Sequence, residues 1–76
     1  SRVVDVLAEV PYRLYEPTVR AAEAAGARVQ DADFGAAVAL TLRVLDGQQD
    51  ELARVLTEAT AGAAELLPGE PFDAAF

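Results

Sequence analysis

Asp31 and Asp33 are the first residues in this chain whose type and spacing could do chemistry. Two carboxylates close together can bind a hard cation, but a calcium site needs about six to eight oxygen ligands. Aspartate is also favoured in turns for a simpler reason, because its side chain bonds the nearby backbone. We therefore predict that the pair stabilises a turn, and no metal site is predicted.

Thr57 and Thr60, near a turn at Gly62, carry hydroxyl groups that could act as nucleophiles. A threonine nucleophile needs a neighbouring base such as His or Lys. The chain has no His, no Cys and only Arg among its six basic residues. Its five glycines are scattered and form no phosphate-binding loop. We predict that the protein is not an enzyme and binds no cofactor.

The chain is strongly acidic, with thirteen Asp and Glu residues and a net charge of −7. Nucleic acids and anionic membranes attract Lys and Arg, so this charge disfavours both as partners. No apolar run reaches the roughly 20 residues that a membrane span needs, and no signal peptide is recognisable. These features predict a cytoplasmic protein, and the first residue, which is not Met, suggests a piece of a longer chain.

Alternation of apolar and polar residues predicts four β-strands, at residues 3–10, 27–31, 36–45 and 63–67. An alanine-rich helix is predicted to begin near residues 14–16, because Pro17 must lie in its first turn, and to end at Gly26. A second helix is predicted from an N-cap at Asp46, with Gln49 as its capping-box partner, to Gly62. A turn at residues 33–35 joins the second and third strands.

This order of elements predicts an α+β fold of the ferredoxin-like βαββαβ type. Right-handed crossovers place the first and third strands in the middle of a four-stranded antiparallel sheet. Both helices then cover one face, and the other face is open. The predicted domain spans residues 1–67, and residues 68–76 are predicted to be a loosely held tail.

The open face is the predicted interaction surface, with Leu7, Ala39, Thr41, Arg43 and Arg28 as its candidate residues. Val3, Leu45 and Leu67 add apolar area to it. A mixture of apolar and charged side chains suits contact with another protein, although an ordinary solvated face explains the pattern equally well. No aromatic residue lies outward on the central strands, so Tyr12 and Tyr15 are predicted to pack in the core and not to stack on bases.

A series of structural motifs runs through the chain, namely Tyr12, Leu14, Gly26-Ala27, the acidic stretch 31–34, the alternating strand 38–44 and Thr60-Ala61-Gly62. In these motifs the chain resembles the C-terminal domain of bacterial YigZ proteins, the IMPACT family, over residues 3–67. The resemblance implies a ferredoxin-like fold similar to the C-terminal domains of elongation factor G. It also implies a larger N-terminal companion domain and a link to translational regulation.

Three functions follow as hypotheses. The first is an accessory domain that docks through its open face onto the N-terminal domain of the same parent protein or onto another protein. The second is RNA or ribosome binding through a local arginine patch, which the net charge disfavours. The third is a small-molecule-binding regulatory domain that dimerises. The sequence leaves the oligomeric state open.

Overall fold

A computed structural model describes residues 1–76 and contains two α-helices and five β-strands. The strands are β1 (Arg2–Val10), β2 (Arg28–Phe34), β3 (Val38–Leu45), β4 (Glu65–Pro68) and β5 (Phe72–Asp73). The helices are α1 (Tyr15–Ala24), which a short 3-10 turn at Tyr12–Leu14 precedes, and α2 (Gln49–Ala59). The predicted α+β class and the βαββαβ order are confirmed.

The sheet has the strand order β2-β3-β1-β4, and every neighbouring pair is antiparallel. The first and third strands therefore occupy the centre, as right-handed crossovers require. Inward side chains of the two central strands pack beneath the helices, where Leu52 and Leu56 of α2 and Ala22 of α1 meet them. Neither helix has the length and apolar character needed to cross a membrane.

Strands β4 and β5 are two parts of one edge strand that a bulge interrupts. Leu67 lies opposite Leu7, and Phe72 lies opposite Val3. Four positions separate Val3 from Leu7 on β1, whereas five separate Leu67 from Phe72, so one extra residue is accommodated on the outer strand. Such a bulge reverses the alternation of side chains. Phe72 consequently lies on the same face as Leu67, and β5 was not predicted from the sequence.

Glycines end or connect elements where the backbone requires a positive φ. Gly26 has φ +88° directly after α1, as predicted for a helix C-terminus.

The prediction of a capping box at α2 is wrong, because Gln48 occupies the N-cap and makes no side-chain cap bond. The side chains of Asp46 and Gln49 do meet, but Gln49 Nε2 donates to Asp46 Oδ1 over 3.1 Å. The bond thus links the first residue of α2 to the loop that precedes the helix.

The hairpin between β2 and β3 turns later than the sequence indicated. Asp33 and Phe34 belong to β2, and the turn is formed by Gly35 with the residues that follow. The Gly35 N–H donates to the carbonyl of Ala37 over 3.0 Å. Pairing of Phe34 with Val38 extends the ladder to the end of both strands and explains the longer strand.

Thr60 fixes the exit from α2. Its side chain is buried, its hydroxyl donates to the carbonyl of Leu56 over 2.8 Å, and it accepts from the Ala64 N–H over 3.1 Å. The next two residues, Ala61 and Gly62, have φ values of +51° and +82°. A left-handed pair after a bonded threonine turns the chain sharply from α2 into β4.

Replacing Thr18 with valine is expected to stabilise the domain by about 1 kcal/mol. Thr18 is fully buried on α1, and its hydroxyl has no hydrogen-bond partner. A buried unpaired hydroxyl is costly, and valine has nearly the same shape and a similar helix propensity. Urea denaturation measures the change. Thr57→Val, at an exposed position of α2, should alter the free energy of unfolding by less than about 0.5 kcal/mol.

Candidate functional site

The open face of the sheet, on the side away from both helices, is formed by the outward residues of all the strands. The registers place these side chains in rows: Leu45, Val3 and Phe72; Arg28, Arg43 and Asp5; Asp31, Thr41, Leu7 and Leu67; Asp33, Ala39, Glu9 and Glu65. All five candidate residues of the sequence analysis therefore lie on this one face.

The middle of the open face carries an exposed apolar patch. Leu7 of β1 lies between Thr41 of β3 and Leu67 of β4 in register. Leu7 is 41% exposed and Leu67 is 67% exposed. With the half-buried Ala39 and Thr41, these residues form what we call the docking patch (Leu7, Ala39, Thr41 and Leu67). A shallow cavity of about 310 Å³ lies at its β1–β4 edge.

An acidic row borders the docking patch. Glu9 lies opposite Glu65 on one side and opposite Ala39 on the other, and Asp33 completes the row beyond Ala39. Asp31 lies opposite Thr41, one row closer to the middle. No group of three acidic residues is arranged to hold a metal ion. No ion pair compensates Glu9 or Glu65, and like charges directly opposite each other across two strands are unfavourable.

The other side of the docking patch holds two arginines. Arg28 lies directly opposite Arg43. The Arg43 guanidinium forms a bidentate pair with the Asp5 carboxylate, with Nε–Oδ1 at 2.8 Å and Nη2–Oδ2 at 3.1 Å. Hydrogen bonding to Asp5 raises the pKa of Arg43, desolvation opposes this shift, and the charge of Asp5 adds to it. Arg43 thus remains charged and has Asp5 as its counter-ion within the chain.

Two aromatic residues that the sequence analysis did not identify lie against these arginines. Phe72 has its ring centre 5.0 Å from the Arg43 guanidinium carbon, and Phe76 lies 4.5 Å from that of Arg28. Val3, which was predicted to be exposed on this face, is fully buried and lies opposite Phe72. The signal for this arrangement in the sequence is the presence of two phenylalanines in the last five residues, beyond the last predicted strand.

The remaining arginines are dispersed. Arg54 pairs on α2 with Glu51 at 2.6 Å and with Glu58 at 2.8 Å. Arg2 lies 3.9 Å from Asp73, and both of these side chains are exposed. Three of the six arginines, Arg2, Arg43 and Arg54, therefore have carboxylate partners. The other three, Arg13, Arg20 and Arg28, have none.

The tyrosines lie at the far end of the domain and belong to an aromatic cluster. The ring centres of Tyr12 and Tyr15 lie 6.2 Å and 5.2 Å from that of Phe34. The Tyr12 hydroxyl donates to the carbonyl of Gly35 over 2.6 Å. This cluster joins the start of α1 to the β2–β3 hairpin. Tyr15 packs against the core as predicted, whereas Tyr12 is half exposed.

These features define the class of protein, a small ferredoxin-like α+β domain with two helices on one face and a mixed apolar and charged face on the other. Its fold is similar to a crystal structure described as that of a hypothetical protein, with a TM-score of 0.78 and 15% identity. The match covers 88% of this chain and 32% of that protein, so the chain spans about a third of its length.

Residues 9–63 match the family described as a domain of unknown function, DUF1949. The matched region includes the last two residues of β1, both helices and the two strands between them. The chain belongs to the DUF1949 family. No curated protein sequence matches it.

Proposed function

We propose that this DUF1949 domain is a non-enzymatic docking module of a YigZ/IMPACT-like protein. It binds a companion domain or another protein through its docking patch. The observation that carries the proposal is the exposed Leu7–Leu67 pair, which lies in register across β1 and β4 beside an acidic row. The resemblance to the IMPACT family supports a link to translational regulation, and the cytoplasmic location predicted from the composition is part of the same proposal.

The chemistry of the docking patch supports a protein partner. Interfaces between proteins combine a centre that is poor in charge with a polar, charged rim. Leu7 and Leu67 supply the apolar centre, and the chain carries neither a thiol nor an imidazole. The opposite face of the sheet is occupied by α1 and α2, so the open face is the broad sheet surface available for contact.

The acidic row indicates the charge of the partner. Glu9 and Glu65 lie opposite each other without a cation, and Asp31 and Asp33 lie on β2 at the opposite edge of the sheet. A partner with Lys or Arg around an apolar centre would relieve this repulsion and would be attracted by the net charge of −7. The solved relative, in which the fold occupies 32% of a longer chain, supports a companion domain as the partner.

The arginines give less support to RNA binding. Arg43 is bound to Asp5, and Phe76 lies over Arg28. Strong phosphate binding requires free cations that converge on one surface. The cavities of the domain are also small and shallow, about 240–310 Å³, at or below the lower end of the range for small-molecule sites. Protein docking is therefore the function that the geometry supports best.

The proposal is tested with a photoreactive amino acid at position 7 of the protein in its native cell. The cross-linked partner is identified by mass spectrometry, purified, and titrated with the unlabelled protein. We expect a protein with a basic surface. Cross-linking to RNA, or the absence of any cross-link at this position, would contradict the proposal.

Leu7→Arg is expected to weaken binding of the purified partner by at least about 30-fold, the loss typical of a central interface residue. Arginine removes the apolar contact and repels the basic rim of the partner. Leu45→Arg is the matched control, because Leu45 lies on the same face, outside the docking patch, and is also 41% exposed. It should change affinity less than about threefold. Equal losses for both variants would show that the docking patch is not the interface.

A further inference from the structure

The C-terminal segment, residues 69–76, lies along the end of the sheet where β1 begins. The Gly69 N–H donates to the carbonyl of Asp5 over 2.9 Å, and the Ala74 N–H donates to the carbonyl of Ser1 over 2.9 Å. Between these two bonds, Phe72 and Asp73 pair with Val3 and Arg2. The segment thus continues the edge strand beyond the bulge and adds a short strand to β1.

The surface under the C-terminal segment has the features of a site for an aromatic peptide. Arg28 and Arg43 lie opposite each other, and only Arg43 has a carboxylate partner. Phe72 lies over Arg43 and Phe76 lies over Arg28, and the negative face of an aromatic ring attracts such a cation. The fully buried Val3 lies outside the main hydrophobic core cluster, on this face. A segment with two aromatic side chains therefore fits a surface that would otherwise expose Val3 and two like charges.

The contacts that hold the C-terminal segment are few. Strand β5 has two residues, and Phe72 remains 37% exposed. The ion pair between Arg2 and Asp73 spans 3.9 Å between two exposed side chains, a geometry that contributes little. No residue of the segment belongs to the core cluster. Segments with few buried apolar contacts open locally without unfolding of the rest of the domain.

We propose that the Arg28, Arg43 and Val3 end of the sheet is a peptide-binding site, which the C-terminal segment occupies and which an extended segment of a partner protein takes over. The incoming segment pairs with the edge of β1 through its backbone. It places one aromatic side chain over Arg43 and another over Arg28. A second copy of this chain is disfavoured as the donor, because each copy carries a net charge of −7. The site uses none of the docking-patch residues, so this proposal stands independently of the proposed function.

The experiment compares the full chain with a version that ends at Pro68. The probe is a labelled synthetic peptide with the sequence of residues 69–76. Because a tethered segment competes at a high effective concentration, the shortened chain should bind the peptide at least about tenfold more tightly than the full chain. A control peptide with both phenylalanines replaced by alanine should bind at least about tenfold more weakly than the original, since it lacks both ring contacts.

Three outcomes would overturn the proposal. Circular dichroism that shows an unfolded shortened chain would make the C-terminal segment a permanent strand of the fold. A folded shortened chain that does not bind the peptide at millimolar concentration would show that no site exists. A full chain that forms a dimer, and loses it on shortening, would show that the segment is exchanged between copies and not replaced by a partner.

Hydrogen exchange on the full chain gives a second readout that needs no truncation. The amides of Gly69 and Ala74 should exchange at least about tenfold faster than those of Leu40 and Leu42 at the centre of the sheet, because the segment opens locally. Equal protection at all four amides would mean that the segment opens only when the whole domain unfolds. Displacement by a partner would then be excluded.

Discussion

Replacing Leu40 with alanine is expected to lower the free energy of unfolding by about 2–5 kcal/mol, the largest loss from any single substitution considered for this domain. Leu40 is fully buried in the central strand β3. Its two direct neighbours across the sheet are alanines, Ala8 on β1 and Ala32 on β2. Leu40 is therefore the one large side chain where this row crosses β2, β3 and β1, and its replacement would leave a row of three alanines.

The cost is high because the surroundings of Leu40 cannot easily close the cavity. Backbone hydrogen bonds to β1 and β2 fix the position of β3 on both sides. A domain of this length is expected to have a total stability of only about 4–11 kcal/mol. Leu40→Ala should therefore remove a large share of that stability and leave a measurable unfolded population at 37 °C.

Urea denaturation monitored by circular dichroism measures the effect. Leu67→Ala is the matched control, because it removes the same atoms from a side chain that is 67% exposed. It should change the free energy of unfolding by less than about 0.5 kcal/mol. A loss below about 1 kcal/mol for Leu40→Ala would mean that α1 and α2 close onto the sheet, and that the core is less rigid than its packing indicates.

The alternation of apolar residues made most of the fold predictable. Val4, Val6, Ala8 and Val10 on β1, and Val38, Leu40, Leu42 and Val44 on β3, are all buried as the period of two required. Two strands of that kind, each followed by a helical pattern and a further strand, leave the βαββαβ arrangement as the simplest topology. The order of the strands in the sheet followed from the handedness of the crossovers.

The ends of the elements were harder to predict, since tertiary contacts decide them. Phe34 has a turn glycine beside it in the sequence, yet it remains in β2 because its ring packs against Tyr12 and Tyr15. The N-cap of α2 moved to Gln48 because the side chain of Gln49 bonds Asp46 and the backbone of Gly47 instead of capping the helix. Sequence patterns alone do not show which of several competing local hydrogen bonds forms.

The sequence predicted which residues share the open face. It did not predict which of them are already in contact with other side chains of the domain. Alternation alone placed Leu7, Thr41 and Arg43 on one surface. It could not show that Phe72 lies against Arg43, because that contact depends on a bulge that reverses the facing of the edge strand. The pair of Arg43 with Asp5 depends on the register between β1 and β3. A one-residue change of register moves a phenylalanine from one side of a sheet to the other. The separation of an apolar docking patch from an arginine site therefore required the structure.

Gly69 lies in the interval between β4 and β5, where the edge strand is interrupted, and Gly69→Ala is expected to destabilise the domain by about 1–3 kcal/mol. A Cβ atom at this position would lie 2.9 Å from the carbonyl oxygen of Asp5. That oxygen belongs to the backbone of a central strand and also accepts the Gly69 N–H bond, so it cannot move away cheaply. The edge strand must shift outwards instead, which separates β5 from β1.

Gly35→Ala provides the comparison, because a Cβ atom there would lie at an ordinary 3.8 Å from the carbonyl oxygen of Ala37. That substitution should be neutral or slightly stabilising, since alanine restricts the unfolded chain. Urea denaturation gives the two free energies, and hydrogen exchange at Ala74 locates the damage. If Gly69→Ala acts through the edge strand, exchange at Ala74 rises while the amides of β3 keep their order of protection. Equal stability of the two variants would instead mean that the bulge shifts freely, so that close contact with Asp5 does not determine the path of the C-terminal segment.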